Sequence, residues 1–116
     1  MSVTTVDGPA IVVGYAYRLQ IEADSALFPE GADFAAQVRS KVSAASVIAM
    51  LTTANGGLLR VSDTVLELAI APDATASLGA GSVVLDVVRT DLMPPRHLSF
   101  FLEIPVVLPV TRGIMP

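Results

Sequence analysis

One side chain in this sequence titrates near neutral pH without help from its surroundings: the single histidine, His97. A histidine that acts as a general base needs a carboxylate to orient its ring and a nucleophile within hydrogen-bonding reach. Asp91 is close in sequence, and Ser99 lies on the same predicted strand face as His97. Active sites rarely rest on one such residue, so the sequence favours a surface or interface histidine and predicts no catalytic residue.

Acidic side chains offer a second kind of chemistry, the binding of a hard cation. Among the eleven carboxylates, two groupings could lie together in loops: Glu22 with Asp24, and Glu30 with Asp33. Calcium takes about six to eight oxygen ligands, usually from a compact loop rich in Asp, Asn and Gly. Neither grouping resembles such a loop, so we interpret both as solvated turns and predict no metal site.

Two further patterns bear on small ligands. Asn55-Gly56-Gly57 lacks the Lys-Ser/Thr that follows a phosphate-binding glycine loop, and it predicts a β-hairpin turn instead. Spacing alone does not exclude a sugar-cleaving pair of carboxylates. The chain has no tryptophan, however, and only Tyr15 and Tyr17 as tyrosines with which to stack a sugar. The sequence therefore predicts no cofactor and disfavours an enzyme.

The charged residues around the Pro94-Pro95 loop indicate a docking role. Arg89, Asp91 and Arg96 flank the two prolines and could form a cluster of surface ion pairs. Such pairs contribute little to stability, but they can fix the register and orientation of a partner protein. We treat this loop as a candidate protein interface.

Composition limits the class of protein. A chain of 116 residues is expected to form one domain, residues 1–116, with extended N- and C-terminal arms. Apolar residues make up 53% of it and charged residues only 16%, which favours a protein that buries surplus apolar surface against partners. The net charge of −4 and the scattered basic residues disfavour a nucleic-acid partner. The apolar run 47–51 is far too short to span a membrane.

The elements that must position these residues are mainly β-strands, because apolar residues mostly recur at every second position. The clearest alternation covers 15–22, and further strands are expected over 10–13, 34–38, 47–52, 59–61, 65–71, 83–88 and 98–104. A helical turn is expected over 72–78, between a proline and a glycine. The stretch 40–51 also fits a helix face, but its serines and valines favour a turn and then a strand.

Seven or eight short strands at this spacing predict an all-β fold, a sandwich or a barrel. The last strand contains or precedes Pro105 and Pro109, which cannot donate hydrogen bonds to a neighbouring strand. We therefore expect this strand to lie at a sheet edge or to end after Ile104.

The order of several short motifs resembles one known group of proteins. They are Gly31-Ala-Asp-Phe-Ala-Ala-Gln-Val-Arg39, Leu51-Thr-Thr, Pro72-Asp-Ala-Thr-Ala-Ser-Leu78, Val84-Leu-Asp-Val-Val-Arg-Thr90 and Ile104-Pro-Val-Val-Leu-Pro-Val-Thr-Arg112. Across residues 10–112 this order resembles the small immunoglobulin-like virion proteins of tailed phages, which are similar to the N-terminal domain of baseplate upper proteins. The resemblance implies an immunoglobulin-like antiparallel β-sandwich that belongs to a virion. Where that group often has Gly-Asp-Thr before the second strand, this chain has Val13-Gly14-Tyr15.

The leading expectation is a non-enzymatic structural protein of a tailed-phage virion, assembled in the host cytoplasm, that decorates or cements the capsid at the head surface. A compact, acidic domain with surplus apolar surface suits repeated contacts on a symmetric lattice. A tail, baseplate or fibre-attachment adaptor is the alternative, and a carbohydrate-binding adhesion module is a third.

The expected partners are other virion proteins, either the major capsid protein or tail and baseplate proteins, with several copies or self-association on a symmetric assembly. No nucleic acid, membrane or cofactor is expected. The predicted interface combines the two terminal arms with the loop 91–97, and its residues are Val3, Val6, Pro9, Asp91, Pro94, Pro95, Arg96, His97, Pro105, Val107, Pro109, Arg112, Ile114 and Met115.

Overall fold

The computed structural model describes residues 3–5 and 10–111, and these residues are mostly β-structure. The predicted all-β class is therefore confirmed, with nine strands in this part of the chain where seven or eight were expected. In chain order the elements are β1 (Val3–Thr5), β2 (Ile11–Val12), β3 (Tyr17–Ala23), β4 (Phe34–Val38), β5 (Ala49–Thr52), β6 (Leu58–Ser62), β7 (Val65–Ile70), α1 (Pro72–Thr75), β8 (Gly81–Arg89) and β9 (Arg96–Val107).

The strands form two sheets around one apolar core. Sheet A has the order β1-β3-β7-β6, and sheet B has the order β2-β9-β8-β4-β5. Buried residues from the facing sides of both sheets form a single cluster, which gives a β-sandwich-like arrangement. One correction concerns strand direction, because β2 pairs parallel with β9 in a sandwich expected to be wholly antiparallel.

The period-two pattern explains how each strand is half buried. In β3, Tyr17, Leu19 and Ile21 are buried while the residues between them are exposed. β9 alternates in the same way from Leu98 to Val107. Burial of each aliphatic or aromatic side chain contributes about 1.5–3 kcal/mol. The sandwich is therefore held mainly by the inner faces, and the outer faces are left to interact with solvent or partners.

The connection between β5 and β6 crosses from one sheet to the other. β5 pairs with β4 in sheet B and β6 pairs with β7 in sheet A, so the predicted hairpin at Asn55-Gly56-Gly57 is wrong. The turn chemistry itself is as expected, because Gly56 has φ of 81°. The Asn55 side chain also accepts hydrogen bonds from the N–H groups of Thr52 and Gly57. These residue types specify a reversal of the chain, but not the sheet that the next strand joins.

Pro105 does not end the last strand. β9 continues to Val107, with Pro105 opposite Ser82 of β8, so of the two expected outcomes, a sheet edge or a break after Ile104, the break does not occur. β2 pairs with β9 only at Val106 and Val107. Along the rest of β9 the edge away from β8 has no partner strand among the described residues, so a residue without an N–H is accommodated there. The first residues of the predicted C-terminal arm thus belong to the sheet.

A core residue comes from the loop between β3 and β4. Phe28 is fully buried and packs edge-on against Phe34, with ring centroids 5.6 Å apart and an interplanar angle of 77°. The loop is tied to the far edge of sheet A because Arg60 Nε donates to the Phe28 carbonyl oxygen at 2.7 Å. Arg60 also pairs with Asp63. The loop between β3 and β4 therefore also contributes a side chain to the core.

The short helix α1 is attached to the turn after β2 by one buried hydroxyl group. Thr75 is fully buried, and its Oγ1 donates to the Tyr15 carbonyl oxygen at 2.8 Å and accepts from the Gly14 N–H at 3.1 Å. This connection joins segments that are 60 residues apart. No helix in the described residues is long and apolar enough to cross a membrane.

Candidate functional site

The residues whose side chains could do chemistry lie close together on the outer face of sheet B, where β8 and β9 run side by side. Asp86 lies opposite Phe101, but the register then shifts, so that His97 lies opposite Val88. With an unbroken register His97 would lie opposite Thr90, four residues and about 13 Å along β8 from Asp86. The shift is accompanied by a φ of 66° at Ser99. It brings the histidine within reach of Asp86.

We call Asp86, His97, Ser99 and Phe101 the His97 cluster. His97 Nε2 lies 2.8 Å from Asp86 Oδ2, and the Ser99 backbone N–H donates to His97 Nδ1 at 2.8 Å. The amide can only donate, so Nδ1 accepts and the ring proton sits on Nε2, from which it is donated to Asp86. The His97 and Phe101 rings also stack, with centroids 5.3 Å apart and a 41° tilt.

This geometry leaves His97 without a free nitrogen. A general base must accept a proton from a substrate or nucleophile on an unprotonated nitrogen. Here that nitrogen, Nδ1, already accepts from Ser99, and protonating it would break the hydrogen bond. The orienting carboxylate considered from sequence, Asp91, is not the one that contacts His97, since Asp86 fills that position. The cluster is thus a fixed, fully hydrogen-bonded feature of the surface.

An open groove of about 180 Å³ adjoins the His97 cluster. Its lining includes Val84 together with Val42 and Phe101, which are 75% and 66% exposed. Arg39 also lines the groove, but its guanidinium donates to the carbonyl oxygens of Ala44 and Ala45 and to Gln37 Oε1. These bonds hold the loop that carries Val42. Arg39 therefore mainly stabilises the wall of the groove and contributes less to binding a charged ligand. The groove is thus lined by both apolar and polar side chains.

The outer face of sheet A is different in character. Arg18 and Glu67 form an ion pair with an Nη1–Oε1 distance of 2.7 Å, and Gln20 Nε2 also contacts Glu67 at 3.5 Å. Among the side chains described on this face, the large exposed apolar residues lie on the edge strand β6, where Leu59 is 56% and Val61 is 50% exposed. The outer face of sheet B therefore carries the groove, and the outer face of sheet A carries the ion pair.

The predicted ion-pair cluster at the loop 91–97 forms only in part. Arg89 donates to Asp91 from Nε at 3.1 Å and from Nη2 at 2.7 Å. These bonds, with one from the Asp33 N–H, lower the pKa of Asp91 to about 2. The same pairing raises the pKa of Arg89. Arg96 does not join this pair, although the sequence placed it in the cluster.

The tip of this loop is apolar and exposed. Met93 is 95% exposed, and Pro94 and Pro95 are also exposed. Asp91 fixes the start of the loop through its bonds to Arg89 and the Asp33 N–H, and His97 fixes its end. The loop therefore presents a short apolar tip between two anchored ends, as an interface loop requires, and its interface role stays a prediction.

The predicted terminal contacts are only partly covered by the described residues. Pro105 and Val107 expose their side chains on β9. Pro109 is partly buried near Tyr15, whose hydroxyl group donates to the Thr111 carbonyl oxygen at 2.8 Å. Val3 belongs to β1, where its backbone pairs with Ala23. The other predicted arm residues lie outside the described residues: Val6, Pro9, Arg112, Ile114 and Met115.

The two carboxylate groupings do not build a cation site in the described part of the chain. Across residues 3–5 and 10–111, no three histidine or acidic side chains are grouped as metal ligands. Glu22 lies on the exposed side of β3. Asp33 makes its contacts here through its backbone. Its N–H donates to Asp91 Oδ1, and its carbonyl oxygen accepts from the Thr90 N–H.

Several residues of this surface were missed by sequence reasoning. Asp86, Val84, Val42 and Phe101 were not among the predicted interface residues. A usable signal existed for two of them, since Val84 and Phe101 occupy outward positions of alternating strands, where a solvated face usually carries polar residues. Asp86 gave no such signal, because its approach to His97 depends on the register shift.

The sequence matches no protein-family model and no curated protein. The functional proposal therefore rests on the order of the sequence motifs together with the geometry of this face.

Proposed function

We propose that the chain is a non-enzymatic structural protein of a tailed-phage virion, which decorates and reinforces the capsid from the head surface. The virion assignment is supported by the order of the sequence motifs, and the docking role is supported by the groove beside the His97 cluster, where Phe101 is 66% and Val42 is 75% exposed. Soluble monomers seldom leave such side chains grouped around a depression unless a partner covers them.

The geometry of His97 supports a role without catalysis. Both ring nitrogens are engaged, one with Asp86 and one with the Ser99 amide. The neighbouring aromatic ring of Phe101 then makes this a rigid patch with satisfied polar groups and exposed apolar area. Patches of this kind suit binding, because polar groups that are already paired with one another lose few hydrogen bonds to water when a partner covers them.

The strand order supports an immunoglobulin-like sandwich. With the strands lettered A, A′, B, C, C′, D, E, F and G in chain order, sheet A reads A-B-E-D and sheet B reads A′-G-F-C-C′. Immunoglobulin-like domains have these sheet orders. The chain lacks the tryptophan and the disulfide of antibody domains, having no Trp and no Cys, so this proposal rests on topology and not on their core residues.

In the proposed complex the capsid protein places an apolar side chain in the groove, against Val84 and Phe101, and polar groups opposite the rim. Each 100 Å² of apolar surface removed from water contributes about 2.5 kcal/mol before association costs. A stable interface buries about 800 Å² on each partner. The groove alone is smaller than this, so the contact extends along β9 to the exposed Pro105 and Val107.

A tail or baseplate adaptor is the second candidate. It is favoured by the same strand order, because the proteins that the sequence resembles include baseplate domains of immunoglobulin type. The two placements differ in copy number. A head lattice requires a number of copies comparable with that of the capsid subunit, whereas a tail ring holds only a few.

A reconstitution experiment tests the docking face. Purified chain is added to capsids assembled without it, and the bound fraction is measured after sedimentation. The change Phe101→Ser is expected to weaken binding about tenfold or more, because an aromatic side chain at the centre of an interface contributes about 2 kcal/mol or more. Leu59→Ser is the matched control, since Leu59 is 56% exposed but lies on sheet A. Equal binding by the two variants, or a loss confined to Leu59→Ser, contradicts the proposed face.

A further inference from the structure

A second cavity, of about 220 Å³, lies at the base of the loop 91–97. It is formed where the segment after β3 meets the ends of β8 and β9, and it shares no residue with the groove beside Phe101. Its lining residues are Ser25, Ala26, Leu27, Arg89, Arg96 and Leu98.

Two guanidinium groups line this cavity from adjacent strands. Arg89 of β8 and Arg96 of β9 are directly opposite each other in the register, and like charges in that position repel. Asp91 compensates only Arg89, through its two hydrogen bonds. Arg96 is an exposed residue, and its side chain forms no ion pair or hydrogen bond with the residues that the structure describes. No acidic side chain lines the cavity itself, so the charge of Arg96 is balanced there by solvent and not by a carboxylate.

One of the lining residues, Ser25, also has a hydroxyl group without a partner. Ser25 Oγ is buried and makes no hydrogen bond within the described residues. Buried polar atoms are nearly always hydrogen-bonded, and an exception calls for an explanation. A group that accepts hydrogen bonds and carries negative charge would satisfy both Ser25 and Arg96. Oxyanions have both properties, and arginine binds carboxylate and phosphate oxygens with pairs of parallel N–H groups.

We propose that this cavity binds a small oxyanion, a phosphate or carboxylate group, with Arg96 as its main binding residue. Ser25 Oγ donates a hydrogen bond to it, and Arg89 adds the N–H donors that Asp91 does not use. The apolar side chains of Leu27 and Leu98, which are buried, limit access of water to the bound group. The proposal concerns the free chain and does not depend on the capsid partner.

The test is a titration of the isotopically labelled free chain with sodium phosphate, followed by amide NMR shifts at constant ionic strength maintained with sodium chloride. Saturable shifts are expected at residues 25–27 and 96–98. Arg96→Gln is expected to weaken binding about tenfold or more, since a charge-assisted hydrogen bond is lost. Arg18→Gln is the matched control, because Arg18 is an exposed arginine on sheet A, and it should bind as the unaltered chain does.

A second variant and a second probe complete the test. Ser25→Ala is expected to weaken binding about threefold or more, through loss of one hydrogen bond. Sodium acetate distinguishes the source of the oxyanion: tighter binding of phosphate indicates a phosphate ligand, and tighter binding of acetate indicates a carboxylate, either of which supports the site. Shifts that never saturate with either anion, or that persist unchanged in Arg96→Gln, overturn the proposal.

Discussion

Phe28 and Phe101 allow one substitution to be made in two opposite environments. Phe28 is fully buried against Phe34, whereas Phe101 is 66% exposed on the outer face of sheet B. Removal of a buried phenylalanine ring costs about 3–5 kcal/mol, while substitution at an exposed position usually costs about 0.5 kcal/mol or less. We therefore expect Phe28→Ala to be strongly destabilising and Phe101→Ala to be nearly neutral.

Equilibrium unfolding in urea, followed by far-UV circular dichroism, measures this difference. For a small domain the denaturant slope is about 1–3 kcal/mol per molar urea. A slope in the middle of that range places the Phe28→Ala midpoint about 1.5–2.5 M below that of the unaltered chain. The melting temperature should fall as well, by about 4 °C for each kcal/mol lost.

Two results would refute this reasoning. If Phe28→Ala costs less than about 1 kcal/mol, the loop between β3 and β4 does not contribute to the core in the way that its burial indicates. If Phe101→Ala destabilises the chain as much as Phe28→Ala does, Phe101 is not an exposed residue of the free protein. In the second case Phe101 is not available as the exposed apolar residue on which the proposed docking face depends.

Three further outcomes are expected. Thr75→Val should cost about 1–3 kcal/mol, because it removes the hydroxyl that joins α1 to the turn after β2, and in thermal melts Thr75→Ser, which keeps the hydroxyl, should lose less. Gly57→Ala should cost about 1–3 kcal/mol in urea unfolding, since the new Cβ would lie 2.9 Å from the Leu51 Cα; an unchanged midpoint would show that this corner relaxes freely. Asp91 has a pKa lowered from 3.8 to about 2 by Arg89, so it stabilises the fold above about pH 4 and loses this effect as the pH falls towards 2. The melting temperatures of the unaltered chain and Asp91→Asn should therefore differ near pH 6 and converge near pH 2, and a difference that grows in acid would contradict this assignment.

Much of the sandwich could be predicted because local alternation encodes strand faces. The buried positions of β3 and of β9 from Leu98 onwards follow the period-two pattern directly. The sequence did not determine which strands pair. Asn55-Gly56-Gly57 has the residue types of a hairpin, yet it links β5 in sheet B to β6 in sheet A. Pairing depends on contacts between distant segments, which a local turn signal does not contain.

The functional surface was predictable only in outline. His97 was expected on an outward strand face, and the structure places it there. Its partner was not predictable, because Asp86 and His97 meet only through the register shift marked by the left-handed Ser99. Arg96 was predicted to join the ion pair of Arg89 and Asp91. In the structure it lies opposite Arg89 in the strand register but forms no ion pair with Asp91. A shift of this kind is decided by packing across two strands.

The two outer faces of the sandwich suggest how one small domain can serve a symmetric assembly. The face of sheet A is occupied by a paired network of Arg18, Gln20 and Glu67, whereas sheet B presents the groove. A partner that binds sheet B would leave the polar face towards solvent.

The proposed virion role is best tested by counting the copies of this chain in purified particles of the phage that is proposed to encode it, by quantitative mass spectrometry against the major capsid protein. The proposed head-surface role predicts about one copy per capsid subunit, or a simple fraction of that number. A few copies per particle would contradict placement on the head and support the tail adaptor. Absence of the chain from purified particles would contradict its assignment as a virion protein.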